Sequence, residues 1–223
     1  HWPDAPASAS TIGCFGFGER LDLEFVPSNP KLRLIMTHCF AEVERVRDFK
    51  VRAETLLAPL FSSVREISDT GGTSPRWNLN ASIVEFPAEA FEKCTLIGNH
   101  VHLNGAGKLT LPRFSAVMTV GDGFLCTNSA SNIVFPNDAL PNCTSIGCDF
   151  MKNTQRLEEF NFPLFLSVQT FSGNILRGSA LKRVSFPARC LDNCTNLGQL
   201  LSCTPNIKKL SLPRFSSLRT IDD

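Results

Sequence analysis

The stretch Leu157-Glu158-Glu159-Phe160-Asn161-Phe162-Pro163 returns 24 residues later as Leu181-Lys182-Arg183-Val184-Ser185-Phe186-Pro187. A third copy, Ile207-Lys208-Lys209-Leu210-Ser211-Leu212-Pro213, follows after a further 26. In each, apolar residues stand six, three and one places before a proline. The last part of that frame has a period of two, which predicts a short strand with one buried face. Proline removes a backbone donor, so it ends strand pairing at the same place in every copy.

Working outward, the slot recurs at Phe86-Pro87, Leu111-Pro112 and Phe135-Pro136, and Ala58-Pro59 fits it. Ile35 fits as a first member without proline, after Leu32-Arg33-Leu34. Weaker copies put alanine at the first apolar place, as at Ala53, Ala81, Ala106 and Ala130. A period near 25 residues is the mark of a solenoid, in which each coil buries its apolar side only against its neighbours. The frame predicts about eight coils over residues 29–223, the last one truncated. Residues 1–28 fall outside it as a lead-in and cap, with Leu21–Phe25 alternating like a strand.

After the slot two coil types alternate. One carries Phe two residues past proline (Phe61, Phe114, Phe165, Phe215) and an apolar residue at plus eight (Ile67, Val120, Phe171, Ile221). The other carries Cys-Thr at plus seven (Cys94, Cys143, Cys194), Gly at plus eleven (Gly98, Gly147, Gly198) and an apolar residue at plus fourteen (Val101, Phe150, Leu201). The unit of repetition is therefore a pair of coils.

L-x-x-L-x-L-P followed by L-x-x-I-G-x-x-F and an often Cys-bearing turn resembles the BspA-like (treponema-type) leucine-rich repeats. Leu111–Leu125 and Cys143–Met151 look like versions found in protist families, kinetoplastids included. The resemblance implies an α/β, strand-rich leucine-rich-repeat horseshoe. Its short parallel strands would line a concave sheet, and its convex side would be irregular or short-helical. The frame places a second extended stretch at the Ile-Gly segment on the opposite side, and a turn or short helix at Gly-x-x-Phe-Leu-x-x-Cys. The chain lacks the Asn or Cys that usually follows the last Leu, so no buried Asn ladder is expected, and stacked Phe rings on alternate coils take its place. Some relatives are surface proteins that bind host or matrix components.

The composition is that of an ordinary globular chain: 223 residues, 43% hydrophobic, 19% charged, net charge +1. That charge gives no global pull toward nucleic acid or membrane, and no run approaches the length of a membrane span. Cys94, Cys143 and Cys194 share one slot two coils apart, about 10 Å, which is too far for a disulfide. They read as small buried residues. The odd total of nine cysteines favours a reducing, intracellular compartment, with the cell surface or secretion as the alternative. Neither Cys190-x-x-x-Cys194 nor Cys143 to Cys148 has zinc spacing, and His100-x-His102 lacks a third ligand, so no metal is expected. No catalytic or nucleotide-binding motif occurs, which predicts a non-enzymatic module without cofactor.

The sequence-level candidates are on the surface. Lys182, Arg183, Lys208 and Lys209 fall side by side on neighbouring strands, one strand beyond Glu158 and Glu159. Like charges across strands cost up to about 1 kcal/mol, so the expectation is a partner with an acidic surface or an anionic glycan. Asn80, Asn142 and Asn193 head N-glycosylation sequons, to be used only if the chain is secreted. The expected function is a protein-interaction or scaffold module within a larger assembly, with a cell-surface adhesin or ligand-receptor ectodomain as the alternative.

Overall fold

The computed structural model describes residues 11–12, 20–25, 33–36, 45–58, 60–67 and 76–221. Its first strands are β1 (Thr11–Ile12), β2 (Arg20–Phe25), β3 (Arg33–Met36), β4 (Arg45–Arg52), β5 (Thr55–Leu57) and β6 (Glu66–Ile67). Next come β7 (Arg76–Glu85), β8 (Leu96–Ile97), β9 (His102–Thr110), β10 (Thr119–Val120), β11 (Asn132–Val134) and β12 (Ser145–Ile146). The last are β13 (Glu159–Asn161), β14 (Thr170–Phe171), β15 (Arg183–Ser185), β16 (Asn196–Leu197), β17 (Lys209–Ser211) and β18 (Thr220–Ile221).

Every pairing among them is parallel, and the register follows the repeat. On the first side of each coil, Leu56 lies opposite Val84, Val84 opposite Leu109 and Leu109 opposite Ile133. Phe160, Val184 and Leu210 continue the same row. On the second side, Ile67, Ile97, Val120, Ile146, Phe171, Leu197 and Ile221 are opposed in succession through β6 to β18. These two ladders make the described part a strand-rich parallel β-solenoid of about six turns. In the early coils a third side is also extended, because β2, β4, β7 and β9 pair in turn through their leading halves.

The core lies between the ladders. Leu157, Phe160 and Phe162 are buried, as are Leu181, Val184 and Phe186, so these two copies of the frame face inward as the spacing demands, whereas in the third copy Ile207 is half-buried and Leu210 and Leu212 are exposed. Burying one such side chain contributes about 2 kcal/mol. Phe rings fill the interior; in the early coils Phe91 makes the column consecutive, and from Phe114 onward Leu140 and Leu191 alternate with Phe at that place. Phe61 stacks on Phe91 at 4.7 Å, Phe91 on Phe114 at 5.9 Å, and Phe162 on Phe186 at 3.9 Å between ring centroids. Consecutive coils can share one column because the Cys-Thr coil brings in Phe91 from four places past its proline, level with Phe61 and Phe114 at plus two.

Several expectations are corrected. No helix occurs among the described residues, so the α/β class and the short-helical convex side do not hold. Nor is the architecture a horseshoe of one concave sheet, since strands line both the first and the second side. The segment expected to be a turn or short helix is a turn, and its backbone shows why. Gly123, Leu125 and Thr127 have φ of 71°, 56° and 54°, and Asp149, Met151 and Asn153 repeat the pattern at 60°, 53° and 58°. Left-handed residues at every second position cannot continue an α-helix. Ile35 is not at the proline slot. It lies opposite Leu57, two places before Pro59, which moves the slot of that coil to position 37, outside the described residues.

A buried polar column is also present. Asn128 donates through Nδ2 to the Leu103 carbonyl at 2.5 Å and accepts from the Ala130 amide at 2.7 Å. In the next coils Thr154 Oγ1 donates to Ser179 Oγ at 2.7 Å, and Ser179 Oγ donates to the Met151 carbonyl at 3.1 Å. The column sits two or three residues before the first apolar position, away from the place where an Asn ladder was discounted.

Candidate partner-binding face

The outward residues of the first ladder form aligned rows, because parallel strands in register set equivalent residues of successive coils side by side. One row runs Asn132, Glu159, Arg183, Lys209, and the row beside it Ser131, Glu158, Lys182, Lys208. The register places Glu159 opposite Arg183 and Arg183 opposite Lys209. The four basic residues picked from sequence are therefore brought together on adjacent strands.

They are not equivalent. Lys182 Nζ lies 2.6 Å from Glu158 Oε1, and an Arg183 guanidinium nitrogen lies 2.5 Å from Glu159 Oε1. These side chains are between 42% and 62% exposed, so each pair contributes at most about 1 kcal/mol. The pairs nonetheless cancel the charge of β15. Lys208 and Lys209 are exposed, and neither forms an ion pair among the described residues. The uncompensated charge of the patch is thus that of Lys208 and Lys209, half of what was expected from sequence.

Two of the sequon asparagines are built into the coil stacking. Asn142 Nδ2 donates to the Ser115 carbonyl at 2.8 Å, and Asn193 Nδ2 donates to the Leu166 carbonyl at 2.7 Å. The following threonines do the same: Thr144 Oγ1 donates to Met118 O at 3.3 Å and Thr195 Oγ1 to Gln169 O at 3.2 Å. Thr95, in the coil where Lys93 replaces Asn, donates to Arg65 O at 3.3 Å. Asn-Cys-Thr is thus an inter-coil clip that also has the form of a sequon. Asn142 and Asn193 are exposed, while the Asn80 side chain lies outside the described residues.

The cysteine between Asn and Thr is interior. Cys94, Cys143 and Cys194 are fully buried, and each thiol donates to a carbonyl two residues on: Leu96 at 3.3 Å, Ser145 at 3.3 Å and Asn196 at 3.1 Å. Burial pushes the Cys94 thiol up to about 12 and the Cys143 and Cys190 thiols up to about 11. None of the seven described cysteines is in a disulfide. No group of three His, Cys, Asp or Glu side chains positioned for a metal occurs among the described residues. The His102 side chain and His38 lie outside them.

Sequence reasoning missed one feature of this face. A cleft of about 820 Å³ opens between β11 and β13, lined by Asn132, Val134, Arg156, Glu158, Glu159 and Asn161 among others. It coincides with the one step at which the first ladder divides into two sheets. The only trace in the sequence is the interval from Pro136 to Pro163, 27 residues where the flanking intervals are 24.

Two ladders and an exposed, charged outer face define a strand-rich parallel β-solenoid. No family model, curated protein or solved structure matches the chain. No helix of the described residues is long and apolar enough to cross a membrane.

Proposed function

We propose that this chain is a non-enzymatic protein-interaction or scaffold module, of the BspA-like leucine-rich-repeat kind, whose first face docks a partner with an acidic surface. The observation that carries the reading is the asymmetry of the basic patch. Glu158 and Glu159 already occupy Lys182 and Arg183, whereas Lys208 and Lys209 stand exposed without counter-charges on the next strand. Desolvated ion pairs with a partner would use these two lysines first, with Lys182 and Arg183 as a second rank once their glutamates yield. A nucleic-acid partner is not proposed, since the neighbouring strand is acidic and no aromatic platform accompanies the lysines. No cofactor is called for.

The test is binding of a short oligo-glutamate peptide to the full chain at low and physiological salt. Binding should weaken with salt and should be lost when Lys182, Arg183, Lys208 and Lys209 are all changed to Ser. Unaltered affinity in that quadruple variant would overturn the reading.

The second reading, a cell-surface adhesin or receptor ectodomain, draws on the exposure of Asn142 and Asn193. Free thiols weigh toward an intracellular site. A mass shift on glycosidase treatment of the native protein decides between the compartments.

A further inference from the structure

Two backbone hydrogen bonds recur along the first ladder. In one, the residue before proline donates to the next coil: Phe86 to Thr110 O at 3.0 Å, Leu111 to Val134 O at 2.9 Å, Phe162 to Ser185 O at 2.9 Å and Phe186 to Ser211 O at 2.9 Å. In the other, the residue five places before proline donates to the previous coil: Ser82 to Glu54 O at 2.9 Å, Ser131 to Gly107 O at 2.8 Å, Lys182 to Glu158 O at 2.7 Å and Lys208 to Lys182 O at 2.8 Å. By the same rule Phe135 should donate to Asn161 O, and Glu158 to Ser131 O. Neither bond is made, and β11 and β13 are not paired.

The interruption is local. On the second side β10, β12 and β14 pair without a break. On the third side the Met151 amide donates to Phe124 O at 2.9 Å and the Thr127 amide to Lys152 O at 2.7 Å. At the first side's far corner one bond remains, from the Leu164 amide to Asn137 O at 2.6 Å. Beneath the gap Phe135 and Phe160 meet edge to face at 6.0 Å.

We propose that this gap is a built-in seam, at which the first face divides into two panels that swing apart about the continuous second ladder. In a linear array stability is a sum of neighbour terms, so the step that lacks two backbone bonds is the step that opens first. Opening widens the cleft beside Glu158 and Glu159 and separates Asn132 from the charged rows of β13, β15 and β17. The device stands whether or not the face binds an acidic partner, because it rests on backbone bonding alone.

Amide hydrogen exchange on the full chain tests it. The informative amide is Leu164, whose bond spans the seam. Its counterpart Arg113 donates to Ala88 O at 3.0 Å across an intact step. Bond length alone would make Leu164 the better protected. A seam that opens reverses the order, with Leu164 exchanging about 10-fold faster than Arg113 after correction for intrinsic rates, since it reports the local opening. Phe135 and Glu158 should exchange about 100-fold faster than Leu111 and Lys182. Protection of Leu164 equal to or above that of Arg113 overturns the seam, as does protection of Phe135 and Glu158 equal to that of their counterparts.

Discussion

The two ladders of the solenoid run side by side through the same coils, yet they are built to different tolerances. The second ladder uses strands of two residues, is unbroken from β6 to β18, and is flanked by a column of glycines and by the Asn-Cys-Thr clips. The first ladder uses longer strands, carries outward residues that change from coil to coil, and gives way at one step. Close backbone packing fixes the second ladder, and side-chain rows exposed to water fix little in the first. The difference separates what holds the molecule together from what is left free to meet a partner.

The comparison can be broken most severely at the glycine column. A Cβ on Gly147 would lie 2.6 Å from the Asp122 backbone nitrogen and 2.7 Å from the Gly121 carbonyl carbon. Neither atom can move without disturbing the ladder, so Gly147→Ala should cost about 4 kcal/mol in chemical denaturation. A cost below about 1 kcal/mol would show the second ladder to be looser than described. Truncating the ring column by Phe91→Ala should cost about 3 kcal/mol, read from the same transition, because a ring stacked between Phe61 and Phe114 leaves a cavity.

A smaller effect comes from pH. Cys94, Cys143 and Cys190 have folded pKa values of about 12, 11 and 11 against an ordinary value of 9.0. Above pH 9 the unfolded chain releases these protons while the folded one keeps them, so the unfolded state is favoured. Stability should be level below pH 8 and fall progressively from pH 9 toward 11. Cys143→Ala should flatten the fall, and an unchanged slope would remove the buried thiols as its cause. Asn193→Ala, which deletes one clip to Leu166 O, should cost about 1 kcal/mol. Asn132→Ala, on the first face, should change stability by less than about 0.5 kcal/mol.

Much of this was legible in the residues. The six-three-one spacing before proline named the inward side chains of the first ladder, and Cys94, Cys143 and Cys194 proved interior as their shared slot required. The rest escaped for physical reasons. The second ladder lies at plus eight in one coil type and plus ten in the other, since Ile67 is opposed to Ile97. The extended stretch expected at the Ile-Gly segment is present as β8 and β12, but a frame counted from proline alone gives no common offset that opposes Ile67 to Ile97. Asn128, Thr154 and Ser179 share a column but not an identity, because any short amide or hydroxyl can bridge backbone groups there. Leu125 and Met151 sit at φ of 56° and 53°, a conformation their side chains do not announce. Of the turn and the short helix expected there, the turn is the one these residues form. The basic patch was placed correctly by register, but its neutralisation by Glu158 and Glu159 depends on side-chain reach that spacing does not give.

The central claim is that the second side is one continuous parallel ladder with Thr119 opposite Ser145 and Ser145 opposite Thr170. Parallel neighbours in register hold their Cα atoms about 5 Å apart, within disulfide range, and residues two steps apart are near 10 Å, beyond it. Thr119→Cys combined with Ser145→Cys should therefore form a bridge on mild oxidation, mapped by mass spectrometry of the digest, in a chain that still unfolds cooperatively. Thr119→Cys combined with Thr170→Cys should not. A bridge in the second pair, or none in the first with both thiols reactive, would contradict the ladder and with it the solenoid described here.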